Sequence, residues 1–320
     1  MNEPNFPAAP FDWLSDLRPA FAAQDAWLAG SYQEEHIFHY CYLPDGPFAI
    51  ACGAGLLAEH VRRFRFSPDL IQRMGQVVDG QGHHLFQESF LNHLQRMRLR
   101  VQVNAAAEGT LLLPGEPLLV AQGPLAQILL LESAFRLLLW QSSHWATLAA
   151  TARWQQGQRQ EEDTPLPPGY SFHPEGWKIR AAYIGGAAAD DLLANVDQPT
   201  RDLRTGEGLL RTEHRPGEPL VQIRRLYRGN LPLGDLWLTQ AQEEAASVSK
   251  TSTQYLDERT GRLQAVQMSR FQNLYQPVLV KGHPALATPR LGYLRQRLLK
   301  QLEAFQQAEL GNYGRGWFGQ

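Results

Sequence analysis

A glycine pair after an apolar segment is the sharpest generic signal for phosphate chemistry in this sequence. Gly53 and Gly55 follow the apolar run from Phe48 to Cys52 and precede a helical pattern. Glycines between a strand and a helix N-terminus can cradle a pyrophosphate, because the backbone amides can then approach the anion closely. A dinucleotide fold also needs an acidic residue about 20 positions later, where this chain has Phe64-Arg65-Phe66. The alternative interpretation is a closely packed helix start.

A group of histidines and carboxylates between residues 79 and 93 has the donor types of a metal site. Its members are Asp79, His83, His84, Glu88 and His93. On a helix, His84 and Glu88 would share one face, because they are four residues apart. A solvated polar helix face explains the same pattern, and we assign no metal site.

Two groups of arginines could bind phosphates. In each group they alternate with or surround apolar and aromatic side chains, and a solvated strand edge explains both groups as well. The groups are Arg96, Arg98 and Arg100, and then Arg224, Arg225 and Arg228 around Tyr227.

The elements that must position these residues alternate between helical and strand-like patterns. Apolar spacing and capping residues predict helices over 22–33, 56–64, 67–78, 84–98, 125–154 and 291–310. Residues 36–52, around Pro44-Asp45-Gly46-Pro47, predict a β-hairpin. Further strands are expected within 99–121 and 209–238, a linker over 155–169, and a helix, a turn and a second helix over 177–195.

The amino-acid composition limits the classes of protein to which this chain can belong. The chain has 320 residues, of which 43% are hydrophobic and 19% charged, which excludes disorder, collagen and coiled coil. A net charge of -2 gives no global attraction to nucleic acid or to an anionic membrane. The most apolar stretch, 125–140, contains Glu132 and Arg136 and is too short to span a bilayer. Cys41 and Cys52 cannot form a disulfide framework, so we expect a soluble cytoplasmic protein with two buried thiols.

Several segments together resemble nicotinate phosphoribosyltransferases. Residues 103–133 carry Ala-x-x-Glu-Gly-Thr, Pro-Gly-Glu-Pro-Leu, Gly-Pro and Leu-Leu-Glu-Ser in the order of that family's N-terminal region. Arg180-Ala-Ala-Tyr-Ile-Gly-Gly186 is similar to its barrel-entry motif. Pro216-Gly217 through Arg224 and the segment 271–282 resemble its return strand and its closing segment.

The resemblance implies a fold of the α/β class and a reaction. The fold is an α+β terminal domain, built from both chain ends, together with a type II phosphoribosyltransferase α/β barrel. The reaction joins nicotinate to phosphoribosyl pyrophosphate and gives nicotinate mononucleotide, a step of NAD biosynthesis, usually with Mg²⁺ and with ATP hydrolysis through a phosphohistidine. We expect a homo-oligomer such as a homodimer.

The resemblance also supplies candidate site residues. As substrate-binding candidates we take Lys178, Arg180, Tyr183, Gly185, Gly186 and Arg224. Tyr183 would stack on a flat ring, although core packing explains it equally well. His173 and His214 are the catalytic candidates, and their alternatives are a loop histidine and a surface histidine.

The middle of the chain departs from the family pattern. The stretch from Trp154 to Arg211 is far shorter than the ~200 residues of a closed eightfold barrel. We therefore expect an incomplete barrel, with an N-terminal domain over 1–154, a linker and barrel remnant over 155–208 and a returning segment over 209–320. Two hypotheses follow: a compact enzyme that keeps the family chemistry, and a non-catalytic binding or regulatory relative.

Overall fold

The structure is a computed structural model. It describes residues 17–44, 46–156, 176–186, 209–213, 220–246, 252–257, 260–286, 289–308 and 314–318. Across these ranges, none of the helices combines the length and the apolar character needed to cross a bilayer.

The helices lie mainly in the N-terminal half. They are α1 (Arg18–Leu28), α2 (Ala54–Arg63), α3 (Pro68–Gly75), α4 (Glu88–Arg96), α5 (Leu125–Ala134), α6 (Gln141–Gln156), α7 (Gly176–Gly185), α8 (Gln240–Ala246) and α9 (Leu291–Gln307). A π-helical turn, Phe135–Trp140, joins α5 to α6. The predicted long helix over 125–154 is therefore confirmed as one continuous helical segment with a wide turn in its middle.

The strands come from both halves of the chain. They are β1 (Glu35–Tyr42), β2 (Ala49–Ala51), β3 (Gln102–Ala106), β4 (Thr110–Leu112), β5 (Pro117–Pro124), β6 (Leu209–Glu213), β7 (Leu220–Arg228), β8 (Leu231–Thr239), β9 (Ser252–Asp257), β10 (Leu263–Gln267), β11 (Arg270–Asn273), β12 (Tyr275–Val280), β13 (His283–Pro284) and β14 (Gly314–Phe318).

The described strands form two large sheets and one small one. The first sheet has the order β13-β12-β3-β5-β1-β6, and the second has the order β10-β9-β14-β8-β7-β11. The pairings are antiparallel except for β14 with β8. Strands β6 and β12 place C-terminal residues in a sheet with N-terminal strands. The α/β class is confirmed, since helices and mainly antiparallel sheets make up the described chain.

The predicted hairpin over 36–52 is wrong. Strand β1 pairs with β5 and β6, whereas β2 pairs with β4 in a separate two-stranded sheet. Both segments are strands as predicted, but their partners lie far away in sequence. The turn signal at 44–47 therefore marks the end of a strand, and the buried faces of the two strands decide the pairing.

The first residue predicted for the helix over 84–98 is also wrong. Helix α4 begins at Glu88, and His84 forms an isolated bridge with Val78. His84 and Glu88 therefore do not share a helix face. By contrast, α3 begins as expected, because the Ser67 hydroxyl accepts a hydrogen bond of 3.2 Å from the Leu70 amide.

Two of the buried clusters pack around the elements that carry the candidate residues. One lies between the first sheet and the α2, α5 and π-helical segments, and it includes Phe38, Leu57, Val103 and Phe135. The other joins β2, α6, α7 and α9 through residues such as Trp145 and Leu298. The last long helix is therefore part of the core that supports residues 48–52 and 180–184.

Candidate functional site

The glycine pair lies where the chain turns into α2. Gly53 has φ +97°, and a Cβ added there would lie 1.9 Å from the backbone oxygen of Leu138 in the π-helical turn. Both features require glycine, because a side chain would be strained by the backbone angle and would clash with the neighbouring helix. The interpretation as a closely packed helix start is confirmed.

The amides of this helix start bind a carboxylate of the protein itself. The backbone N–H groups of Gly53 and Gly55 donate to Glu108 Oε1 at 3.0 and 3.1 Å. The Arg180 guanidinium donates to Glu108 Oε2. Glu108 is 1% exposed and Arg180 is 2% exposed. We call Gly53, Gly55, Glu108 and Arg180 the Glu108 cluster. Its carboxylate lies where an anion at this helix N-terminus would lie.

Cys52 lies against the same cluster. Its thiol accepts from an Arg180 N–H at 3.8 Å, and its backbone amide donates to the Ser143 hydroxyl at 3.0 Å. Burial, reinforced by the negative charge of Glu108, raises the pKa of the Cys52 thiol to about 12. The thiol is therefore neutral and buried, as expected for both cysteines, which are free and buried.

Helix α7 brings three of the candidate residues into the core. Arg180 reaches Glu108, while Tyr183 is buried and its carbonyl accepts from Arg295 Nη1 at 2.9 Å. The Arg295 guanidinium also lies 4.8 Å from the centre of the Tyr183 ring. A Cβ on Gly185 would lie 2.3 Å from the Ala146 carbonyl oxygen, so this glycine allows α7 and α6 to approach closely.

Arg224 occupies a different part of the fold. It lies on β7, where its Nε donates to Asn273 Oδ1 at 2.9 Å and its guanidinium lies 4.3 Å from the centre of the Phe271 ring. Arg224 and Arg225 are 5% and 0% exposed. The interpretation of these two arginines as a solvated strand edge is therefore wrong, because β7 lies between β8 and β11 and both side chains are buried.

Four remaining candidates are described only in part or not at all. Gly186 follows α7 with φ +98°, a conformation that favours glycine. Lys178 lies within α7. His173 and His214 lie outside the described residues, and so does most of the expected barrel remnant. The roles assigned to all of these residues stay predictions.

Metal-ligating side chains do not gather into a binding site in the part of the chain that the structure describes. No group of three or more His, Cys, Asp and Glu side chains within it could hold a metal ion. Asp79 and His83 do meet, with His83 Nδ1 3.3 Å from Asp79 Oδ2. The Asp79 carboxylate also accepts from the backbone amides of His83 and Gln81. These hydrogen bonds lower the pKa of Asp79, as in an ordinary polar turn.

The structure contains a second buried cluster of charged residues, around Arg225, which the sequence did not predict. Arg225 donates to both oxygens of Asp235 at 2.8 and 2.6 Å and to the Leu111 carbonyl at 2.8 Å. Glu116 Oε2 lies 3.8 Å from Arg225 Nη2. Burial, followed by the charge of Asp235, raises the pKa of Glu116 well above its ordinary value. This cluster ties the second sheet to β4, directly beside the Gly109 turn.

An open cavity of about 600 Å³ lies between the second sheet and α9. Its lining includes Arg270, Arg297 and Lys300, none of which was singled out from the sequence. The spacing of Tyr293, Arg297 and Lys300 along one helix face was the available signal, since residues three and four apart are neighbours on a helix. We call this space the α9 cavity.

Comparison with known proteins agrees with this architecture. The model of the nicotinate phosphoribosyltransferase N-terminal domain matches residues 24–139. The human and bovine nicotinate phosphoribosyltransferases are each 33% identical to this chain over 156 residues, which is 47% of this chain and 28% of either relative. The chain therefore matches little more than a quarter of the length of these curated relatives.

Solved structures share the fold. The crystal structure of human nicotinic acid phosphoribosyltransferase superposes with a TM-score of 0.68 at 15% identity, covering 95% of this chain and 97% of that one. Nicotinate-nucleotide pyrophosphorylase from Pyrococcus furiosus gives a TM-score of 0.50 at 12% identity, covering 94% and 99%. These likenesses show the fold alone. Together with the match over 24–139, they show that this chain is similar to nicotinate phosphoribosyltransferases in the sequence of its N-terminal part and in its fold.

Proposed function

We propose that this chain is a non-catalytic binding or regulatory member of the nicotinate phosphoribosyltransferase family. The observation that carries the proposal is the short middle of the chain, because the stretch from Trp154 to Arg211 is far shorter than the ~200 residues of a closed eightfold barrel. The Glu108 cluster adds that the start of α2 offers no open anion site. Its backbone amides and its guanidinium are the groups that would bind a phosphate, and all of them are bound to a buried carboxylate. A substrate phosphate would have to displace Glu108 and would leave that carboxylate buried without its partners, which is costly.

The second candidate is the family reaction itself, which converts nicotinate and phosphoribosyl pyrophosphate into nicotinate mononucleotide in NAD biosynthesis. The match over 24–139 and the placement of Arg180, Tyr183 and Gly185 on one helix favour it. In an active chain, Mg²⁺ and ATP would serve as cofactors, with His173 or His214 as the catalytic group. The described residues offer no cluster of metal-ligating side chains, so we assign no step to either cofactor.

A direct assay separates the two candidates. The protein is incubated with nicotinate, phosphoribosyl pyrophosphate, ATP and Mg²⁺, and nicotinate mononucleotide is measured by chromatography. A catalytically active family member serves as the positive control and the heat-denatured chain as the blank. We expect no product above the blank. Product that depends on the folded chain would overturn the non-catalytic proposal and establish the second candidate.

A binding or regulatory role needs a partner, and we propose a second copy of this chain or an intact enzyme of the family, in the cytoplasm. Light scattering on the purified chain would give its mass in solution. Co-elution with an intact nicotinate phosphoribosyltransferase, followed by the activity of the mixture, would test the regulatory role. A chain that stays monomeric, that does not co-elute and that leaves the enzyme's rate unchanged would exclude both partners.

A further inference from the structure

The α9 cavity has the charge of an anion site. Its charged lining residues are Arg270, Arg297, Lys300 and one carboxylate, Glu303, and the remaining polar lining is mostly neutral. Its volume of about 600 Å³ lies in the range of small-molecule sites. We propose that this cavity binds a phosphorylated small molecule, with the phosphate held between Arg270, Arg297 and Lys300. The proposal does not depend on whether the chain performs the family reaction.

Arg297 is held in place in the lining of the cavity. Its Nη2 donates to the Thr110 hydroxyl at 2.9 Å, and burial lowers the pKa of its guanidinium. A guanidinium has five N–H donors in a fixed fork, and this hydrogen bond uses one of them. A phosphate oxygen would accept from the others and offset the loss of water around the buried charge.

Arg270 lies at the opposite side, on β11. Its guanidinium is stacked over the Tyr227 ring, 3.7 Å from the ring centre, and its Nε donates to the Gly229 carbonyl at 3.2 Å. These two contacts fix the plane of the group. Within the described residues, no hydrogen bond engages its terminal N–H groups, so a planar donor pair is available to an anion in the cavity.

Lys300 and Tyr293 complete the site along α9. Lys300 lies one turn beyond Arg297, and its exposed ammonium forms no ion pair with any described residue. Tyr293 lies one turn before Arg297, and 61% of its surface is exposed. An exposed aromatic ring beside three cations can stack on the flat or apolar part of a ligand. The favoured ligand is therefore a phosphate monoester that carries a ring, such as a nucleotide.

Calorimetric titration of the full chain tests the proposal, with adenosine 5′-monophosphate, adenosine and inorganic phosphate as probes. We expect the monophosphate to bind at least tenfold more tightly than adenosine, and raised salt to weaken its binding. Inorganic phosphate distinguishes the source of the affinity. If inorganic phosphate binds as tightly as the nucleotide, the cavity is still an anion site, and the ring of the nucleotide contributes nothing to the affinity.

Paired variants locate the binding. The double variant Arg270→Gln with Lys300→Gln should weaken nucleotide binding at least tenfold, because both side chains are exposed and both supply charge to the cavity. The matched control, Arg262→Gln with Lys281→Gln, changes the net charge equally at exposed positions elsewhere and should leave the affinity unchanged.

Removing the carboxylate should have the opposite effect. Glu303→Gln takes the negative charge out of the lining and should tighten nucleotide binding severalfold. A melting curve for each variant checks that the fold is kept. The proposal is overturned if none of the three probes produces heat, if adenosine binds as tightly as its monophosphate, or if the cavity variant and the control bind equally.

Discussion

Removing the Arg180 guanidinium should strongly destabilise the protein. Arg180→Ala leaves the Glu108 carboxylate buried, with the amides of Gly53 and Gly55 still donating to it. Both members of the pair are almost fully buried, at 2% and 1% exposure, so water cannot replace the lost partner without opening the core. The loss in the free energy of unfolding is therefore that of leaving a buried charge without its partner, which is larger than the loss of a surface contact.

The magnitude follows from this burial. Removing one partner of a buried ion pair costs about 3–5 kcal/mol, whereas a domain has a total free energy of unfolding of about 5–15 kcal/mol. Replacing both partners, with Arg180→Met and Glu108→Gln, removes both charges, while the amide oxygen can still accept from the backbone. The double variant should therefore be more stable than Arg180→Ala, although it has lost the ion pair.

Urea unfolding followed by circular dichroism measures these differences. The control is Arg62→Ala, which removes an exposed arginine paired with Glu59 on the same helix and should cost at most about 1 kcal/mol. The reasoning is refuted if Arg180→Ala costs no more than Arg62→Ala, or if the double variant is less stable than the single one by a further several kcal/mol.

Three further outcomes are expected. Because burial foremost raises the pKa of Glu116, folding binds a proton there. The stabilising contribution of that proton is complete below the ordinary glutamate pKa and is lost as the pH rises through the raised one. The advantage of Glu116→Gln over the parent chain in unfolding free energy should therefore grow with pH by up to about 1.4 kcal/mol per unit, and an advantage that does not change with pH would contradict this. Gly53→Ala should lower the melting temperature more than Gly229→Ala, since both glycines have positive φ but only the first would place its Cβ against a backbone oxygen, that of Leu138, at 1.9 Å; equal losses would mean that the backbone angle alone matters. The Cys52 thiol, with a pKa of about 12, should react with Ellman's reagent at pH 8 only after unfolding, and rapid labelling of the folded chain would show that the cluster opens.

Local signals in the sequence predicted many of the elements. The helices α2 and α3 were predicted correctly, because each depends on apolar spacing or a capping residue within one or two turns. The pairing of β1 with β2 was predicted wrongly. Each of these two strands forms its backbone hydrogen bonds with strands that are far away in the sequence, and the local sequence pattern does not reveal those partners. The division into 1–154, 155–208 and 209–320 stays a prediction.

The candidate site was predicted less well than the fold. Arg180, Tyr183 and Gly185 were selected through their motif, and the structure places all three on α7. The motif does not reveal that Arg180 is paired with a carboxylate 72 residues earlier. The α9 cavity was not predicted, because its cations come from β11 and α9 and become neighbours only when the helix packs beside the second sheet.

The sequence by itself determined the family resemblance, the α/β class and the need for glycine at the start of α2. Each of these depends on short segments of the sequence and not on residues that are far away in the chain. Only the tertiary structure decided that Glu108 occupies the amides of Gly53 and Gly55, and that Arg225 is buried beside Asp235. The reason is physical: whether a charged side chain binds a ligand or another part of its own chain depends on which opposite charge folding brings within a few ångströms and removes from water.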